Sequence, residues 1–494
     1  MFKRKWSGLP PDPVFPNDLK GLGYFINKDD EIRSIENEDN YFKYFINRNV
    51  RYCDRQRFSM NQACQAEIHS RLEGLGLKKV YLPLGLSPEE DPEKPKMPIF
   101  VSPDAKSKSR MVIIFGETHQ DLGILAHRVI GGRGGIDKGS LVTTVRSLLQ
   151  GGQKSSATDL SAPGVILANT AELLWWPEGQ RTLNAQAFDW APMHSAAHQG
   201  NLVVPSIHHV PGNESAKAHI QYIFEKVVPA LVHDAAGLDL IGIGSGADAL
   251  EMYLNDDAVW KRVGQRLNCL AIVGGSVSQR EIECNGLRQF LRERARAYIP
   301  SSEPLNMVLS GPDGNPNTSA PSDYGCPVFS AGDSMYTETI FIAAQSAVLT
   351  WFEEVALTST SAAPYKNPEF TITYADPPVE SPYWKDHKGD EGKAEGEEGK
   401  DAEGKADEKG DERSTLMTVA EEEEEEGAAG EKIAGEEEKK DRVSDAAMDG
   451  NFMRKETQGV DEKEKKKVNE RKVDRNAHVV HVDTLDDHDS YEEL

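Results

Sequence analysis

Long apolar runs are missing from this 494-residue chain. None reaches the roughly 18 uninterrupted apolar residues that a membrane-spanning helix needs, so no membrane contact is expected. Met1–Trp6 is positively charged, but no apolar segment follows it as a secretory signal requires. Cysteine is scarce. Cys53, Cys64, Cys269, Cys284 and Cys326 are odd in number, scattered, and form no CxxC pair. That argues against a disulfide framework or a zinc site and predicts buried free thiols in the cytosol or nucleus. No metal and no cofactor is expected. Positive charge is also short. The formal net charge is -25, and residues 381–494 hold 37 Asp/Glu against 20 Lys/Arg. The rest is mildly acidic and lacks the broad basic footprint of a nucleic-acid binder.

An α/β rhythm is present. Residues 1–57 are rich in aromatics and read as an ordered lead-in. Helical spacing over Arg57–Leu75 ends at Gly76. Short strands are predicted at Lys79–Leu84 and Pro98–Val101, and buried strands at Met111–Phe115, Gly164–Asn169, Leu238–Ile243, Leu267–Val273 and Pro327–Ala331. Helices are predicted over Ser140–Gln150, Glu214–Ala235 with Asn213 as cap, Ala247–Leu254, Glu281–Tyr298 and Thr339–Val355. Apolar strands alternating with helices imply a mostly parallel sheet covered on both faces. The predicted division is an N-terminal extension (1–105), a main α/β domain (106–358), a linker (359–380) and a disordered acidic tail (381–494). The tail holds six consecutive glutamates, Glu421–Glu426, and too little apolar surface to offset ordering entropy. Its basic island, Lys463–Arg475, reads either as a nuclear-import signal or as a charged helix.

Ser245 follows the Leu238–Ile243 strand in Gly242-Ile243-Gly244-Ser245-Gly246-Ala247 and precedes a helix. Small residues around one serine at such a junction read as the nucleophile elbow of an α/β-hydrolase. The partners are missing. After Ser245 the only histidines are His387, His478, His481 and His488, all beyond the main domain. The acid's expected place, after the next strand, holds Gly274-Gly275-Ser276, and the base's place, Ser330–Tyr336, offers Asp333 and Tyr336 but no imidazole. The oxyanion loop holds Gly116 and Glu117, and a carboxylate there opposes oxyanion stabilisation. A base from His119, His194, His198, His208 or His209 would be out of order. Gly242, Gly244 and Ala247 also fit a dinucleotide fingerprint, but no acid ends the following strand. Gly131–Ser140 has the wrong order for a P-loop and reads as a turn capped by Ser140.

Several stretches together resemble one family. They are Phe115-Gly116, Asp121–Ser140, Trp175-Trp176-Pro177-Glu178-Gly179, Val210–Ser215, Gly242–Asp248, Ser301–Asn306 and Ser330-Ala331-Gly332. In this order they look like the fungal domain family named for the second argonaute-binding protein, over roughly residues 1–358. The resemblance implies an α/β-hydrolase-like fold related to the C-terminal domain of class II histone deacetylases. It implies a nuclear scaffold in small-RNA-directed heterochromatin silencing, with argonaute-complex or histone-deacetylase and chromatin proteins as partners and indirect contact with small RNA. Animal relatives keep an acid and a histidine where Gly275 and Tyr336 stand. The expectation is therefore a non-catalytic scaffold with Ser245 as a vestigial nucleophile. The competing classes are a serine hydrolase using Ser245 and an RNA-binding module.

Overall fold

The computed structural model describes residues 8–376 apart from 152–161, 198–199, 334–335, 360–362 and 373. His198, the 381–494 tail, Glu421–Glu426 and Lys463–Arg475 lie outside the described residues. The chain divides into Met1–Lys388 and Gly389–Leu494, and the described residues all belong to the first unit.

A small antiparallel hairpin opens the unit, β1 (Tyr24–Ile26) with β2 (Ile32–Ser34). The helix Val50–Gly74 follows, its first turn capped by Asn49, whose side chain accepts from Arg51 N–H. It starts seven residues before the predicted Arg57 because this cap sits inside the lead-in. Gly76, at φ +95°, reverses the chain just beyond it. Then come β3 (Lys78–Leu82), β4 (Met97–Val101), β5 (Arg110–Phe115) and β6 (Gly164–Ala168). A second antiparallel hairpin pairs β7 (Leu174–Trp176) with β8 (Arg181–Leu183). The remaining strands are β9 (Gly237–Ile243), β10 (Leu267–Val273), β11 (Ala295–Ile299), β12 (Val308–Ser310) and β13 (Val328–Ser330).

Nine strands form one sheet in the order β12-β13-β11-β10-β9-β5-β6-β4-β3. The neighbours β6, β5, β9, β10, β11 and β13 are parallel, whereas β12 runs antiparallel to β13 and β4 runs antiparallel to both β3 and β6. Setting β12 aside, that is the α/β-hydrolase order: eight strands, the second reversed, the third and fourth exchanged. Alternation along the strands supplies two cores. Met111, Ile113, Leu240 and Ile272 face one side with Ile220, Val227 and Leu250. Val112, Ile114, Ile241 and Val273 face the other with Ile68, Val145 and Trp351. Thr337–Thr358 is long and apolar enough to cross a membrane by composition. In this fold Phe341, Val348, Trp351 and Phe352 of that helix are buried in the second core. All five cysteines are free and buried.

Three expectations need correction. The sheet begins within the segment assigned to the 1–105 extension, because β3 and β4 are its edge. The predicted helix Glu281–Tyr298 is a helix over Asn285–Arg294 followed by β11. Helical burial (Leu287, Phe290, Leu291) stops there, and every residue from Ala295 to Ile299 is buried, the pattern of a central parallel strand. The predicted helix Glu214–Ala235 is capped by Ser215, not Asn213, and opens into a π-turn over Ile223–Val227. Pro229 lacks the N–H that would close a regular turn there, which accounts for the widening.

Candidate functional site

The carboxyl ends of β5, β6 and β9 meet where an open α/β sheet usually carries its site. At the end of β9 the strained elbow residue is Gly244, at φ 50° and ψ -129°. Ser245 is instead the first residue of the helix Ser245–Leu254. The sharp turn is thus one residue earlier than expected, and the small-x-nucleophile-x-small pattern is Gly242-Ile243-Gly244-Ser245-Gly246. The flanking glycines are required by packing. A Cβ on Gly242 would lie 2.6 Å from Ala247 Cα, and one on Gly246 would lie 2.7 Å from the Phe115 carbonyl. A Cβ on Gly244 would run into Glu117, whose Cγ and Cδ lie 2.8 Å from it. The side chain of Glu117 therefore fills the space a nucleophile would use. Burial raises its pKa above the ordinary carboxylate range.

Ser245 is held by the oxyanion loop. Thr118 donates its backbone N–H to Ser245 Oγ at 2.9 Å, and the two hydroxyls lie 2.9 Å apart. An oxyanion hole of this fold takes one N–H from that loop. Here Thr118 N–H already has an acceptor. Thr118 Oγ1 lies 3.3 Å from His119 Nδ1, and His119 Nε2 lies 3.9 Å from Glu117. No imidazole reaches Ser245 directly among the described residues.

Gly275 packs against the elbow helix, where a Cβ would sit 2.9 Å from Ala247 Cβ and 3.0 Å from Asp248 Oδ1. Asp248 accepts Ser276 N–H at 2.6 Å. No acid side chain fits at 275. In this strand order the acid of an α/β-hydrolase follows the seventh strand, here β11, and the loop there holds Ser301 and Glu303. Tyr336 lies under the Arg128 guanidinium, 3.8 Å from it, and Arg128 also pairs with Glu338 at 3.1 Å. His208 accepts Val204 N–H, and His209 bridges to Leu174. Ser245, Gly116 and Glu117 are thus brought together, while Tyr336 is engaged elsewhere.

A buried polar cluster beside the elbow was not visible in the sequence. Glu172 Oε2 accepts from Gln65, Leu122 N–H and Asn169 at 3.0–3.1 Å. Asp121 accepts from Asn184 at 2.7 Å. Burial, and then the mutual repulsion of the two carboxylates, pushes Glu172 up to about 7; burial raises Asp121 too. His219 accepts Asn169 N–H at Nε2, so its proton sits on Nδ1 and is donated to Asn213. Burial lowers its pKa to about 3. The cluster joins residues 65, 121, 169–172 and 219, a spread with no spacing signature.

A family model described as the Arb2 domain matches residues 15–305. Among solved structures the chain is similar to a naproxen esterase (carboxylesterase NP) from Bacillus subtilis. The two are 11% identical with a TM-score of 0.22, over 47% of this chain and 60% of the esterase. The chain thus matches about three fifths of that enzyme's length. No curated protein matches.

Proposed function

The chain belongs to the Arb2 domain family, and from that premise we propose that it is a non-catalytic, α/β-hydrolase-like scaffold of small-RNA-directed heterochromatin silencing. The observation that carries the non-catalytic reading is the elbow. Gly244 takes the nucleophile's backbone geometry, and Glu117 takes the nucleophile's space. The occupied Thr118 N–H supports the same reading. The proposed partners are argonaute-complex or histone-deacetylase and chromatin proteins, in the nucleus, with any small-RNA contact indirect.

The full chain should show no labelling by a fluorophosphonate probe. Stoichiometric labelling lost in Ser245→Ala would overturn the non-catalytic reading. It would favour instead a hydrolase working through the Ser245–Thr118–His119 contacts. For the silencing role, tagged full chain at native levels should co-purify with an argonaute protein or a histone deacetylase, and its deletion should derepress a heterochromatic reporter. An unchanged reporter would refute that role.

A further inference from the structure

A cavity of about 140 Å³ lies between the helix Val50–Gly74 and the β7–β8 hairpin. Arg55, Phe58 and Gln62 line it from one face of the helix, and Trp176 and Arg181 line it from the hairpin. We propose that this cavity binds a small carboxylate through the guanidinium groups of Arg55 and Arg181.

Arg181 is the central observation. Its Nε is buried and has no hydrogen-bond partner. Burial lowers its pKa; Glu172 and Asp121 act on it electrostatically, without an ion pair. Arg55 is 8% exposed, and its Nε also lacks a hydrogen-bond acceptor, with Asp12 only at 3.7 Å. Its Nη1 donates to the Trp190 carbonyl at 2.8 Å. Desolvating a cation costs several kcal/mol unless a partner compensates. Two under-partnered guanidinium groups on one cavity leave room for an anion to supply that compensation.

The walls select the class of anion. A guanidinium fork matches a planar carboxylate in two parallel hydrogen bonds. Gln62 offers an amide beside it, and Phe58 and Trp176 offer apolar surface for an organic body. Asp121, on the same wall, disfavours a doubly charged phosphate. Gly244 and Ser245 take no part in the cavity, so this proposal and the scaffold reading stand or fall separately.

The test is calorimetric titration of the full chain with acetate, benzoate and inorganic phosphate at matched ionic strength. Saturable binding is expected for the carboxylates, tighter for benzoate. Arg181→Gln should weaken it about tenfold or more, the scale of a charge-assisted hydrogen bond. Gln62→Glu, which adds a negative charge to the wall and leaves the arginines intact, should also weaken it. Thermal melts establish that both variants fold, and Gln62→Glu carries the test if Arg181→Gln does not. Absence of saturable carboxylate binding, unchanged affinity in a folded variant, or a preference for phosphate would each overturn the proposal.

Discussion

Placing a serine where the elbow turns is the most direct probe of this site. Gly244→Ser imposes two separable costs. A side chain at φ 50°, ψ -129° costs about 1–3 kcal/mol in backbone strain. The new Cβ also overlaps Glu117, and overpacking of this kind costs about 1–3 kcal/mol more. The variant should therefore lose about 2–6 kcal/mol against urea. Glu117→Ala alone should change stability by less than about 1 kcal/mol, because its nearest ion-pair contact is His119 at 3.9 Å and its carboxyl is already burdened by burial. In the double variant the backbone term remains and the overlap term goes. A double-mutant cycle should then show coupling of about 1–3 kcal/mol. An equal penalty for Gly244→Ser with and without Glu117 would refute the claim that this carboxylate fills the nucleophile's space.

Other perturbations follow from the same packing. Gly275→Ala puts a methyl 2.9 Å from Ala247 Cβ; a fall of about 1–3 kcal/mol in a thermal melt is expected, and Gly275→Asp should be worse. Glu172 holds its proton in the folded state up to about 7, against an ordinary value of 4.5. The folded state binds more protons in between, so this group's stability contribution is present below 4.5 and lost as pH rises to about 7. Glu172→Gln should flatten that slope in urea titrations at pH 5 and pH 8. Asp12 and Arg51 form a buried ion pair at 2.6 Å; Asp12→Ala should cost about 3–5 kcal/mol and make residues 8–17 an early site of limited proteolysis.

The layered α/β architecture was legible because its central strands are apolar runs. Leu267–Val273 was read to the residue. β11 was missed because Ala295 and Arg296 carry little strand character and continue an amphipathic helix without a turn residue between. The elbow was found but placed one residue late. A serine draws the eye as a nucleophile, while the spacing Gly242, Gly244, Gly246 marks the turn itself. The sequence marks Glu117 only as a carboxylate in the oxyanion loop; the three-dimensional approach to Gly244 reveals that it fills the nucleophile's space. Glu172, Asp121 and Arg181 could not be grouped at all, because a loop, a strand end and a hairpin bring them together.

The order β12-β13-β11 at one end of the sheet bears on where this domain can be cut. The family match ends at residue 305, but β11 takes its next partner from Val328–Ser330. Its Tyr298 lies against Phe329 with ring centroids 5.6 Å apart. A chain ended at 305 would present Ala295–Ile299 as a bare parallel edge, and would strip Trp351 and Phe352 from the core behind it. Unpaired apolar edges recruit other chains. Such a fragment would self-associate through β11, and a loss of partner binding in it would report aggregation rather than a missing interaction surface.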